Sequence, residues 1–142
     1  MGKKRIVTTN ETSSDKNSKV GKSSKKKVLT SGVLFVSSTY NNTILSVADE
    51  KGNIAFSSSS GALGFKGAKK GTPFAAAKVG ETLADKANEY GMREVSVVIS
   101  GVGAGRESAV RGFISKGIVL KKIKDATPVP HNGPRPPKPR RV

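Results

Sequence analysis

The chain has 142 residues, with 26 Lys and Arg against 10 Asp and Glu, and so carries a formal charge of +16. Charge of that size opposes compaction by self-repulsion and calls for a polyanionic partner. Zero Cys and a single His exclude a disulfide framework, a thiolate metal site, a Cys nucleophile and a zinc cluster.

The longest apolar runs, such as Val95 to Ile99, fall far short of the about 18 residues of a membrane span. No apolar segment follows the basic N-terminus as a secretory signal requires, so a soluble, intracellular protein without a membrane partner is expected. Met1-Gly2 does not begin a myristoylation signal, because Ile6 stands where Ser or Thr is needed.

Residues 1–30 mix Lys with Ser, Thr and Asn, include Lys25-Lys26-Lys27, and have no apolar period. They read as a disordered basic arm. From Gly32 the texture changes. Val33-Leu34-Phe35-Val36 and Thr43-Ile44-Leu45-Ser46-Val47-Ala48 flank the turn Tyr40-Asn41-Asn42. Two strands joined by that turn follow from the β-branched and aromatic content. Asp49 to Asn53 is a second turn, and Ile54-Ala55-Phe56 opens a third strand running into Ser57 to Ser60.

Thr72-Pro73 is a helix start, with Thr as cap and Pro at the first helical position, and Gly91 stops the helix after Tyr90. Ala76, Val79, Leu83, Ala87 and Tyr90 recur at helical spacing and should form its buried stripe. Glu94 to Ser100 is nearly continuous in β-branched residues, as a strand buried on both faces would be. The glycines Gly101, Gly103 and Gly105 lead into a second helix from about Arg106 to Lys116, stopped by Gly117. Ile118 to Lys124 alternates and ends the sheet.

The order of three strands, helix, strand, helix, strand predicts an α/β fold. It gives a mixed five-stranded sheet, an antiparallel meander followed by two parallel crossovers, with helices packed on it. The α/β domain spans residues 31–127. Residues 128–142 are rich in Pro, with four basic side chains and no acidic one, and form an extended basic C-terminal tail.

Gly101-Val102-Gly103-Ala104-Gly105-Arg106 sits where a strand gives way to a helix, a place where backbone N–H groups can hold a phosphate. It matches neither the dinucleotide fingerprint nor the P-loop. Against a nucleotide site a tight turn is the simpler explanation; a grip on a nucleic-acid phosphate fits better, since Arg106 adds a charged fork and Arg111 lies along the same helix. Gly61 to Gly71 interleaves glycines with Lys66, Lys69 and Lys70, which suits phosphate tracking, a flexible surface loop being the alternative. Tyr40-Asn41-Asn42 offers one stacking face and two amides, unless both Asn side chains merely close the turn. Glu81, Asp85 and Glu89 read as a solvated helix face, Asp125 as isolated, and His131 has no triad partners, so neither a catalytic site nor a cofactor is expected.

Four motifs carry a resemblance. Ser38-Thr39-Tyr40-Asn41-Asn42-Thr43, Gly64-Phe65-Lys66-Gly67 with Thr72-Pro73-Phe74-Ala75-Ala76, Gly103-Ala104-Gly105-Arg106-Glu107-Ser108-Ala109, and Asp125-Ala126-Thr127-Pro128-Val129-Pro130-His131-Asn132-Gly133 occur in that order. Over about residues 28–142 the chain resembles the bacterial form of ribosomal protein eleven of the small subunit. Two departures are Gly101-Val102-Gly103, where that family often has Gly-Pro-Gly, and Pro134, where many members have Cys.

The resemblance implies a ribonuclease H-like strand arrangement without a nuclease site. It implies a cytoplasmic, structural role in the small ribosomal subunit, bound to its ribosomal RNA on the platform, beside ribosomal proteins seven and eighteen and near the messenger RNA exit path. It also matches Asn132-Gly133 to an isoaspartate-prone site. The expected RNA-binding residues are Tyr40, Asn41, Asn42, Lys66, Lys69, Lys70, Arg106, Arg111, His131, Asn132, Arg135, Lys138, Arg140 and Arg141. Charge alone leaves a nucleoid-type DNA-binding protein as the alternative.

Overall fold

A computed structural model describes residues 28–141. The arm assigned to residues 1–30 therefore lies outside the described residues except at its end, and that end belongs to the domain. The Leu29 amide donates to the Tyr90 carbonyl at 2.9 Å, and the Thr30 carbonyl accepts from Arg93 at 3.0 Å.

The elements are β1 (Ser31–Ser38), β2 (Thr43–Ala48), β3 (Ile54–Ser59), α1 (Pro73–Glu89), β4 (Glu94–Gly101), α2 (Arg106–Ile114) and β5 (Val119–Asp125). A 3-10 turn, Gly67–Gly71, leads into α1. The five strands form one sheet in the order β3-β2-β1-β4-β5. β2 is antiparallel to both β1 and β3, whereas β4 is parallel to both β1 and β5. This is the expected mixed sheet in the ribonuclease H-like order.

Two antiparallel reversals make β3 point the same way as β1. Both β3-α1-β4 and β4-α2-β5 are therefore parallel crossovers, and both step in the same direction across the sheet. Right-handed connections then put both helices on one face. There α1 and α2 cover Leu34, Val36, Leu45, Val47, Val95, Val97 and Ile99. The opposite face stays open: Phe35 and Ile44 are exposed there. The expectation that β4 is buried on both faces is corrected accordingly. Val95, Val97 and Ile99 are buried under the helices, while Ser96, Val98 and Ser100 are only half-buried.

Helix α1 begins as its sequence requires: the Thr72 hydroxyl accepts from the Ala75 amide at 3.3 Å, and Pro73 occupies the first turn. Its buried stripe contains Ala76, Val79, Leu83 and Ala87, widened by Ala75, Gly80 and Ala84. Tyr90 falls just past the end and is half-buried against Phe56, with ring centroids 5.2 Å apart. The widening comes from α2, which presses on α1 through glycine. A Cβ on Gly80 would lie 2.4 Å from the Ala109 carbonyl oxygen, and one on Gly112 would lie 2.5 Å from that of Ala77.

Helix α2 ends at Ile114, two residues before the expected Lys116. The Ser115 hydroxyl donates to the Gly112 carbonyl at 2.7 Å, and Gly117 has φ 88°. β5 is an edge strand, and an irregularity in its register after Leu120 interrupts the expected alternation. Ile123 pairs with Val97 and shares the helix face, while Lys122 and Lys124 pair with Ser96 and Val98 on the open face.

Candidate nucleic-acid interface

Because β1, β3, β4 and β5 all run the same way, the segments leaving them emerge at one end of the sheet. Those segments are the 39–42 turn, the 60–72 loop, the 102–105 loop and the tail from Ala126. Most of the residues singled out from sequence lie on them. In open α/β sheets this carboxyl end is where ligands bind.

The loops are knitted together by close backbone contact. The Gly103 amide donates to the Ser38 carbonyl at 2.9 Å, and a Cβ on Gly103 would meet the Thr39 carbonyl oxygen at 2.2 Å. A Cβ on Gly71 would meet the Tyr40 carbonyl oxygen at 2.2 Å. Only glycine lets two loops approach one turn this closely. The turn is closed by the Thr39 hydroxyl, which donates to the Asn42 carbonyl and accepts from its amide, both at 3.1 Å. The Asn side chains do not close it. Tyr40, 78% exposed, and Asn41 face solvent, whereas the Asn42 side-chain oxygen is buried.

Lys66 and Lys69 are exposed on and beside the 3-10 turn, and Lys70 is half-buried. The Lys69 carbonyl accepts from the Thr72 hydroxyl at 2.7 Å, which ties this basic turn to the cap of α1. At the opposite end of the sheet Asp49 and Glu50 lie among the cations Lys51, Arg93 and Lys116, and Glu50 accepts from the Ser31 hydroxyl at 2.6 Å. Hydrogen bonds from the Asn53 side chain and backbone hold the Asp49 carboxyl below its usual range.

Arg106 departs from expectation. Its guanidinium turns inward, donating to the Gly101 carbonyl and the Asp125 carboxylate and lying 3.3 Å from the Thr127 hydroxyl. With the Gly103 amide also engaged by Ser38, the glycine turn ties β4 to β1 and to the root of the tail instead of forming an open phosphate cradle. Asp125, which sequence leaves isolated, is the hub of that root. Its carboxylate accepts from the Thr127 hydroxyl at 2.6 Å and the Thr127 amide at 2.9 Å. These bonds, and then Arg106, lower its pKa to about 2.

Arg111 is exposed on α2 and has no salt bridge among the described residues. It sits across a groove from Phe74, a residue that sequence reasoning missed. Its signal was legible, since Phe74 lies off the buried stripe of α1 and is 64% exposed. His131, Arg135, Lys138, Arg140 and Arg141 are exposed on the tail, and Asn132 has φ 52°.

Among the described residues no three His, Asp or Glu side chains converge, and no helix is long and apolar enough to cross a membrane. Glu81 pairs with Lys78 at 2.9 Å and Asp85 with Lys116 at 3.2 Å, as a solvated helix face would. A basic loop cluster at the carboxyl end of an α/β sheet, continued by a basic tail, defines the class: a polyanion-binding protein built for nucleic acid.

The profile of the family Ribosomal protein S11 matches residues 32–141. Small ribosomal subunit protein uS11 of Solibacter usitatus is 54% identical over 121 residues, 85% of this chain and 90% of that protein. The protein of the same name from Rippkaea orientalis is 49% identical over 124 residues, 87% of this chain and 95% of that protein. The chain belongs to the ribosomal protein S11 family. It is a structural, non-enzymatic component of the small ribosomal subunit that associates with ribosomal RNA. The nucleoid DNA-binding alternative is set aside by that membership.

The root of the tail makes a pH-dependent contribution to stability. Folding lowers the Asp125 pKa from 3.8 to about 2, so below neutral pH the unfolded chain binds this proton first. The contribution is complete above the unfolded value and is lost as pH falls through the folded one. Asp125→Asn should lower the melting temperature of the full chain at neutral pH. Between pH 3.8 and about 2 its melting temperature should fall less steeply than that of the parent. Parallel acid limbs for the two proteins would rule the role out.

Proposed function

We propose that the loop cluster and the tail form one continuous surface for small-subunit ribosomal RNA, held mainly through phosphates, on the subunit platform near the messenger RNA exit path in the cytoplasm. The observation that carries this is topological: Tyr40, Asn41, Lys66, Lys69 and the strand leading to the tail all leave the same end of the sheet. Arg135, Lys138, Arg140 and Arg141 extend that surface along an exposed chain without helix or strand. Arg111 lies beside it on α2. Arg106 serves it from inside by positioning the tail's root. Lysine and arginine without convergent base-reading groups give affinity that is electrostatic and salt-dependent.

The proposed neighbours are ribosomal proteins seven and eighteen. A mainly apolar groove of about 620 Å³ between α2 and β5, walled by Ile99, Val110, Ile114, Leu120 and Ile123 with Glu107 and Arg111 at its side, supports a protein neighbour there. RNA offers little apolar surface to bury there. Asn132 is a proposed modification site. It is exposed, and because Gly133 has no Cβ its backbone nitrogen can approach the Asn132 side-chain carbonyl with little steric hindrance. Attack on that carbon releases ammonia, and water opens the succinimide to aspartate or isoaspartate, re-aiming His131 and Arg135.

Three outcomes test these assignments. Replacing Arg140 and Arg141 should reduce the slope of log affinity for small-subunit RNA against log salt by roughly one to two units, at about 0.7 to 0.9 per contact; an unchanged slope removes the tail from the phosphates. Lysine cross-linking of intact small subunits should join this chain to proteins seven and eighteen, and cross-links to other proteins alone would overturn the neighbourhood. Peptide mapping of ribosome-derived protein should find Asn132 deamidated and methylated by an isoaspartyl methyltransferase. Unmodified Asn132 alone, under conditions that suppress artefactual deamidation, would refute the modification.

A further inference from the structure

We propose that Phe74 is a stacking platform for a single unpaired RNA base, which enters the groove between α1 and α2 and is held there by Arg111. The inference rests on the RNA-binding reading above and adds to it a base contact, where that reading supplies phosphate contacts.

The ring has no role in the core. Phe74 is the second residue of α1, and the buried face of that helix passes through Ala76, Val79, Leu83 and Ala87, leaving Phe74 64% exposed. The ring is nevertheless held in place. Phe65 meets it at an interplanar angle of 86° with centroids 6.3 Å apart, and the Lys78 ammonium lies 5.8 Å from its centroid. A braced, exposed aromatic loses little conformational freedom when a flat partner stacks on it.

The groove beside it has the size and chemistry of a base site. It encloses about 390 Å³ between Phe74 and Ala77 on α1 and Ser108, Arg111 and Gly112 on α2. The two helices touch at Gly112, where even a Cβ would lie 2.5 Å from the Ala77 carbonyl oxygen, so backbone and small side chains form its floor. Among its wall residues Glu81 is neutralised by Lys78 at 2.9 Å, which leaves Arg111 as the exposed fork of donors at its edge. Such a fork can bond the acceptor edge of a base or the phosphate that follows it.

The setting selects nucleic acid over protein. Lys66 and Lys69 lie on and before the 3-10 turn that runs directly into Thr72 and Phe74, so a strand whose base stacks on Phe74 places its backbone among cations. An aromatic face within a basic track is the general design of single-strand recognition. A duplex cannot use it, because its bases are already stacked on one another.

The test compares two probes, a twelve-nucleotide adenine-rich single strand and a twelve-base-pair RNA duplex, both titrated against the full chain at low salt. Phe74→Leu keeps an apolar side chain but removes the π face, and should weaken single-strand binding by about 5- to 100-fold while duplex binding and melting temperature stay unchanged. Phe74→Trp should retain the affinity of the parent. Arg111→Lys, which keeps the charge and loses the fork, should also weaken the single strand more than the duplex. Equal losses on both probes, or no loss with Phe74→Leu while the parent binds RNA, would overturn the base site and leave the phosphate surface standing. Failure of the parent to bind either probe would instead overturn the RNA-binding surface on which the site rests.

Discussion

The parallel pairing of β1 with β4 is the constraint on which the rest of the molecule depends. Eight registered pairs, from Ser31 with Glu94 to Ser38 with Gly101, join two segments about sixty residues apart. Once β4 lies parallel to the central strand, the connection from β3 must cross over the sheet, here as a helix, and the parallel pairing of β5 with β4 requires the same of the next connection. Both crossings step the same way, so both helices share a face and can bury Phe113 and Leu83 between themselves and the sheet. The same pairing ends β1 beside β4, and so brings the 39–42 turn against the glycines of the 102–105 loop. The arrangement of the helices and the clustering of the loops at the carboxyl end both depend on that register.

Charge is distributed unevenly over the two ends. Loops at the carboxyl end carry Lys66, Lys69, Lys70 and the basic tail with no acidic residue among 60–72 and 126–142, whereas those at the amino end mix Asp49 and Glu50 with Lys51, Arg93 and Lys116. Two acidic groups near this edge are engaged within the protein, Asp125 by Arg106 and Thr127 and Glu81 by Lys78, while Glu107 in the first turn of α2 is exposed. Carboxylates engaged in this way compete less with a polyanion for the neighbouring cations. The Arg106–Asp125 contact has a second effect. It fixes where the tail leaves β5, so that a chain with no secondary structure of its own starts from a defined point. Ordering a tail on RNA loses less entropy when one end is already held.

Much of this was readable in the sequence because it is local chemistry. Thr72-Pro73 starts α1 through a hydroxyl acceptor and a fixed φ, and these act without reference to the rest of the chain. The Tyr40-Asn41-Asn42 turn, the stop at Gly117 and the basic, proline-rich tail are of the same kind. The four ordered motifs that resemble the ribosomal protein eleven family were likewise sequence facts, and that membership followed from them.

Tertiary structure decided what depends on partners distant in sequence. β4 looked like a strand buried on both faces, since its β-branched run is the same whether one or two layers cover it; only the common handedness of two crossovers leaves Val98 and Ser100 half-covered. Arg106 beside three glycines has the composition of a phosphate grip, but Asp125, nineteen residues on, reaches it across the end of the sheet and turns it inward. Phe74 could be placed off the buried stripe from spacing alone, yet its groove with Arg111 exists only because Gly80 and Gly112 let the two helices touch. Local propensity set the elements and the charge of the chain, and long-range packing selected which of its cations remain free to bind.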